Sequence, residues 1–221
     1  MIETLKHFID IVLHLDRYLD LLVTHYSTST YFILALIIFC ETGLIITPFL
    51  PGDSLLFAAG AITAKTGVLN IWLLIGLLCF AAFLGDQINY FVGRYLGRKV
   101  FRFPLIKKIV KESHLKRAED FYASYGVKAI VIARFLPILR TFAPFAAGLA
   151  AMSYPTFLAF SIAGGLLWVG LLSLSGFYFG ELEIVKNNFE LVIVAIIGIS
   201  LLPAVFEYVR HSKKSCKHTF R

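Results

Sequence analysis

Residues 49–60 read FLPGDSLLFAAG, with Pro51, Gly52 and Asp53 in the middle of a strongly apolar stretch. A membrane helix tolerates a proline and a glycine poorly, and a carboxylate at depth is costly. Upstream, residues 31–47 are apolar except for Glu41, and fall short of the roughly 20 residues that a full span needs. Downstream, residues 54–64 form a second short apolar run. Two short apolar helices joined by Pro48, Pro51 and Gly52 predict a re-entrant hairpin over residues 31–66. Such irregular backbone survives at membrane depth only where protein or a wet cavity covers it. Gly52 or Asp53 is the expected N-cap of the second helix.

The composition agrees with a membrane setting. The chain has 221 residues, of which 58% are hydrophobic and 16% charged. Its mean hydropathy is +0.79, and soluble domains run nearer about 45–50% apolar. The net charge of +7 comes from basic residues that flank apolar segments, which argues against nucleic acid as a partner. No cleavable signal peptide is expected, because acids and histidines run through the first 25 residues. Cys40 and Cys79 lie in apolar runs and Cys216 in the tail, so no disulfide framework is expected.

The rest of the chain divides by hydropathy. Residues 1–28 alternate apolar and charged side chains at helical spacing, as an amphipathic interfacial helix does, and the Ser27–Thr30 run is expected to end it. Residues 69–97 are long enough to span and contain Asp86. Residues 98–128 are rich in lysine and arginine, so this loop is expected in the cytoplasm. Residues 129–151 are interrupted by Arg134, Pro137, Arg140 and Pro144. Residues 154–180 and 189–209 read as two spans, and the basic tail 210–221 is again cytoplasmic. With loop and tail on one side, only two full crossings fit between them. Segment 129–151 therefore also reads as re-entrant, with Arg140-Thr141 opening a helix whose first turn holds Pro144.

The two interrupted segments resemble each other. Phe49-Leu50-Pro51 matches Phe135-Leu136-Pro137 at an offset of 86, and Phe57-Ala58-Ala59-Gly60 matches Phe145-Ala146-Ala147-Gly148 at 88. Tyr90 aligns with Tyr178 at the same 88. Each unit holds one hairpin and one spanning helix, so the second copy is inverted relative to the first. The expected architecture is an all-α polytopic membrane protein, a single domain built as an inverted repeat, with the amphipathic N-terminal helix and one further C-terminal span. Paired broken segments of this kind point to a transporter's binding site.

Glu41, Asp53, Asp86, Arg134 and Arg140 lie in or beside apolar segments, where each unpaired charge costs roughly 2.5–3.5 kcal/mol. The first copy supplies acids and the second arginines, so meeting hairpin tips would pair them. Helix N-termini and two guanidinium forks suit a phosphate head group. Arg134 and Arg140 are the candidate phosphate ligands; Glu41, Asp53 and Asp86 are the candidate ion-pairing and proton-coupling groups. If all five ionise, the empty site carries net charge −1. Proton uptake by one acid, Glu41 first, would release an arginine for phosphate. Arg134 has a second reading, as a side chain reaching for the cytoplasmic surface, and Asp86 another, as a partner of Asn89 or Tyr90 within its own helix. Gly93 and Gly97 are four apart and suit helix packing, within the chain or in a homodimer.

The stretches FCETGL (39–44), PFLPGDSLL (48–56), Gly85-Asp86 through Tyr90, Gly93-Arg94 and Ala133-Arg134-Phe135-Leu136-Pro137 through Arg140-Thr141-Phe142-Ala143-Pro144 resemble the DedA family of bacterial inner-membrane proteins. That family is itself similar to SNARE-associated lipid scramblases of the eukaryotic endoplasmic reticulum. The resemblance covers nearly the whole chain. It implies lipid transport, with undecaprenyl phosphate or a related anionic phospholipid as substrate, dependence on the proton-motive force, and a part in envelope integrity. It also implies functional roles for Glu41, Asp53, Arg134 and Arg140.

Two other functions use the same residues. A proton-coupled ion or drug exporter would need an aqueous path, whereas a lipid-tailed substrate needs a lateral opening between helices. A non-catalytic assembly protein would keep its function without Arg134 and Arg140. An enzyme is not expected: all six histidines (7, 14, 25, 114, 211 and 218) lie outside the core segments, away from any place for phosphoryl chemistry. No cofactor and no metal cluster is expected.

Overall fold

The structure, a computed structural model, describes residues 15–43, 52–96 and 126–180, with a few positions between 182 and 198. The described part is helical. Its elements are α1 (Leu15–Gly43), α2 (Gly52–Thr66), α3 (Ile71–Tyr95), a 3-10 turn (Gly126–Lys128), α4 (Ala129–Ala133), α5 (Pro137–Leu149) and α6 (Tyr154–Phe179). Residues 1–14, Pro48, Pro51, Gly97, most of the basic loop, most of the 189–209 span and the basic tail lie outside the described residues.

The first helical stretch breaks immediately before the Ser27–Thr30 run: Tyr26 is non-helical (φ −138°, ψ 47°), and a second helical stretch continues from this kink to Gly43. Thr30 Oγ1 donates to the Tyr26 carbonyl at 3.0 Å. Hydroxyl side chains that bond back onto the preceding turn bend helices and need not stop them. Beyond the bend, Thr28–Gly43 is apolar but short.

α2 returns antiparallel to α1. Gly52, its first residue, lies against the Glu41 carboxylate, and a Cβ there would collide with it. At the other end Lys65 Nζ meets Asp20 Oδ2 at 2.8 Å. Asn70 then caps α3, its Oδ1 accepting from the N–H groups of Trp72 (2.9 Å) and Leu73 (3.2 Å), which satisfies donors left open at any helix start. The Asn70 N–H itself donates to the Tyr31 hydroxyl at 2.7 Å, tying this corner to α1.

α3 and α6 have 25 and 26 residues, about 37–39 Å at 1.5 Å per residue, enough for a hydrocarbon core of about 30 Å. Less than half of each is buried within the protein. Their outward faces carry Trp72, Leu73, Phe80, Leu166 and Leu171, all exposed. Apolar faces of this extent belong in lipid.

The second interrupted segment starts its long helix earlier than the sequence pattern implies. Leu136 is extended and Pro137 occupies the first turn of α5, so Pro144 sits in the helix interior and not in its first turn. A proline there removes the N–H that would bond the Arg140 carbonyl. α5 ends in a paired C-cap: Met152 N–H donates to Ala147 O and Ala151 N–H to Gly148 O, both at 3.0 Å. Ala151 takes the left-handed conformation (φ 53°) that this motif usually gives to glycine.

The helices pack reciprocally. α2 lies against α6, where Gly60 meets the backbone of Ser173 and Phe177, and Gly176 meets the backbone of Phe57. α5 lies against α3, where Gly148 meets the backbone of Tyr90 and Arg94, and Gly93 meets the backbone of Phe145. A Cβ at any of these four glycines would collide with the facing chain. The contacts therefore make Tyr90 the counterpart of Ser173 and Gly93 that of Gly176, an offset of 83. This overturns the match of Tyr90 with Tyr178. Tyr90 is fully buried, stacks on Phe157 at 4.3 Å and donates to the Met152 carbonyl at 2.6 Å, whereas Tyr178 is 66% exposed.

Candidate functional site

Glu41 ends the apolar stretch of α1, Asp53 lies in the first turn of α2, and Arg140 lies one turn into α5. Asp53 is thus inside its helix and not its N-cap. Arg140 joins all three elements. Its Nη1 donates to Glu41 Oε1 at 2.9 Å and its Nη2 to Asp53 Oδ1 at 2.5 Å. The same Asp53 oxygen accepts from Trp168 Nε1 at 2.9 Å, and the Trp168 ring lies 4.2 Å under the Arg140 guanidinium carbon. A cation over an indole face is favourable, more so out of water. Asp53 keeps some exposure, 15% of its side chain against 5% for Glu41 and 3% for Arg140.

Arg134, in the turn between α4 and α5, points inward. Its Nη2 bonds Asp86 Oδ2 and reaches the Ser161 carbonyl at 3.1 Å. Ser161 Oγ donates to the same Asp86 oxygen at 2.6 Å. Asp86 therefore pairs across helices and not with Asn89 or Tyr90, and Arg134 is buried, not turned to a surface. Asn89 instead donates to the Thr42 carbonyl at 2.6 Å, holding α3 to the end of α1. Among the described residues, Nε and Nη1 of Arg134 have no hydrogen-bond partner.

Arg140 Nε donates to the Arg134 carbonyl, so all five charged residues form one network, buried except for the partly exposed Asp53. Asp86 is the sixteenth of 25 residues in α3, and Trp168 the fifteenth of 26 in α6, so the network lies near mid-length of both long helices. Burying five charges is tolerable only when they pair and their remaining hydrogen-bonding positions are largely filled. Gly93 packs within the chain, against α5. Sequence reasoning did not single out Trp168, Ser161, Gly164 or Gly165. Trp168 and Ser161 read as ordinary members of an apolar span; their polar atoms in mid-helix are the signal that could have found them. Among the described residues no three His, Cys, Asp or Glu side chains gather as a metal site would need.

Long apolar-faced helices around a buried ion network define a helical membrane protein. Residues 50–178 match the VTT domain family. The chain is 46% identical to Protein DedA of Escherichia coli K12 over 216 residues, 97% of this chain and 98% of that one. It is 40% identical to the uncharacterized membrane protein Rv0364 of Mycobacterium tuberculosis H37Rv over 79% of this chain and 77% of the other. It is 32% identical to the inner membrane protein YghB of Escherichia coli K12, over 87% and 89%. The chain belongs to the DedA family of VTT-domain membrane proteins. No solved structure matches it.

Proposed function

We propose that this protein is a transporter, not an enzyme, that carries an anionic lipid phosphate across the bacterial inner membrane, with undecaprenyl phosphate as the substrate and proton entry as the drive. The observation that carries this reading is the ion network: two guanidiniums held by three carboxylates at mid-length of two lipid-facing helices. Carboxylates and phosphate compete for the same forks. An arriving phosphate takes the place of a carboxylate, and the displaced acid stays neutral by taking a proton. The lipid tail remains in the bilayer.

In this reading α1–α2 and α4–α5 are re-entrant hairpins, α3 and α6 cross the membrane, and the two halves are inverted copies. The reciprocal glycine packing supports that symmetry. The basic loop 98–128 and the basic tail face the cytoplasm, as positive-inside bias requires.

The test is translocation of undecaprenyl phosphate in proteoliposomes with and without an imposed pH gradient. Wild type is expected to move the lipid faster with the gradient, and Arg140→Ala and Glu41→Gln to lose at least about tenfold in rate, about 1.4 kcal/mol in barrier. Wild-type protein that moves no lipid above empty liposomes overturns the reading.

A further inference from the structure

We infer that the substrate head group enters sideways, through a groove between α3 and α6, and lands on Arg134 while Arg140 acts as a fixed lock. The inference rests on the lipid-phosphate reading above. The groove has a volume of about 230 Å³ and opens on the lipid-facing side. Cys79, Phe80 and Phe83 of α3 and Ser161, Ile162 and Gly165 of α6 line it. It is apolar along its length and polar at one point, Ser161, whose hydroxyl and carbonyl both bond the Asp86–Arg134 pair.

Arg134 lies directly behind the groove's floor. The empty Cβ position of Gly165 is 3.6–3.7 Å from the three outer atoms of its guanidinium, and that of Gly164 is 3.0 Å from its Nε. The barrier between groove and cation is therefore one missing side chain. Any larger residue at 165 would wall the cation off.

The two arginines are not equivalent. Arg140 is engaged on every side: Nη1 and Nη2 by two carboxylates, Nε by the Arg134 carbonyl, and its face by Trp168. Arg134 faces a single carboxylate, is only 3% exposed, and has Nε and Nη1 without a partner among the described residues. A buried guanidinium with open N–H groups beside an apolar groove suits a phosphate monoester with a hydrocarbon tail. The charge lies at the end of the groove, and the groove holds the first isoprene units.

Cys79 in the groove wall gives a readout independent of transport. In full-length protein carrying Cys40→Ala and Cys216→Ser, reconstituted in nanodiscs, the rate of Cys79 labelling by a small maleimide is measured. The probes are farnesyl phosphate, farnesol and inorganic phosphate. Farnesyl phosphate is expected to slow labelling about tenfold, about 1.4 kcal/mol of occupancy, and the other two to change it little. Protection is expected to vanish in Arg134→Gln/Asp86→Asn, which removes both charges of that pair together. It is expected to persist in Arg140→Gln/Glu41→Gln/Asp53→Asn. Equal labelling with and without farnesyl phosphate, equal protection by farnesol, or the opposite pattern in the two charge-neutral variants overturns the inference. In the translocation assay Gly165→Leu, or Ile162→Trp at the exposed rim if the first fails to fold, is expected to block transport. Wild-type transport in a folded blocked variant also overturns it. Protection without any lipid translocation retires the flippase reading and leaves the binding groove standing; translocation without protection does the reverse.

Discussion

Arg140 Nε donates to the backbone carbonyl of Arg134 at 3.1 Å. This bond runs from the side chain of one buried arginine to the main chain of the other, across the turn that opens α5. It joins the Glu41–Asp53 cluster to the Asp86–Ser161 cluster, so the side chain of Arg140 helps to fix the backbone that carries Arg134.

Removing the Arg140 side chain leaves Glu41 and Asp53 facing each other without a cation. Arg140→Ala is expected to destabilise the protein by about 3–5 kcal/mol, because an uncompensated buried charge is far worse than a missing pair. The variant Arg140→Gln/Glu41→Gln/Asp53→Asn should recover most of that loss while remaining inactive. Denaturant titration in detergent micelles measures both; equal instability in the two proteins contradicts the prediction.

Trp168 supplies Asp53 with a donor and Arg140 with a ring. Trp168→Phe retains the ring and loses the N–H, which should cost about 1 kcal/mol. Trp168→Leu also loses the cation–π contact, for about a further 1–2 kcal/mol in this desolvated site. The order wild type, Phe, Leu in midpoint of unfolding is the check.

Gly93 meets the backbone of Phe145 and Gly176 that of Phe57, whereas Gly76 and Gly170 face open space. Gly93→Ala and Gly176→Ala should each destabilise by about 1–3 kcal/mol through overpacking. Gly76→Ala should be neutral or stabilising by up to about 1 kcal/mol, since a mid-helix glycine carries an entropic cost. Thermal midpoints of the three variants, measured in one detergent, decide between them.

Ala151 holds a left-handed backbone that costs a residue with a Cβ about 1–2 kcal/mol. Ala151→Gly is expected to raise stability by about 1 kcal/mol without altering transport. No rise in midpoint would mean that the Ala151 methyl contributes packing that offsets its strain.

Much of this was legible before any coordinates. Charges in apolar runs stand out against the cost of burying them, so Glu41, Asp53, Asp86, Arg134 and Arg140 were found by type and place alone. Their pairing scheme was not legible in detail, because hydropathy says nothing of which helix face meets which. The long-helix alignment went wrong for a related reason: two tyrosines matched in letter while one is buried and the other faces outward. The reciprocal packing rests on glycines at backbone contact, and a glycine's neighbours are set by tertiary structure. The start of α5 was misplaced because Pro137 and Pro144 both fit a first turn, and only the extended Leu136 selects the earlier one.

The crossed seating of α2 on α6 and of α5 on α3 has a bearing on biogenesis. Every buried ion pair in the network joins an acid from residues 41–86 to an arginine from residues 134–140. A chain severed between residues 97 and 125 would yield one fragment with the network's three acids and another with its two arginines, each lacking the groove in which its own short helix rests. Such fragments should be degraded when made singly and rescue each other when made together. The interlock therefore makes maturation of this protein a late event, complete only after the second arginine has left the ribosome.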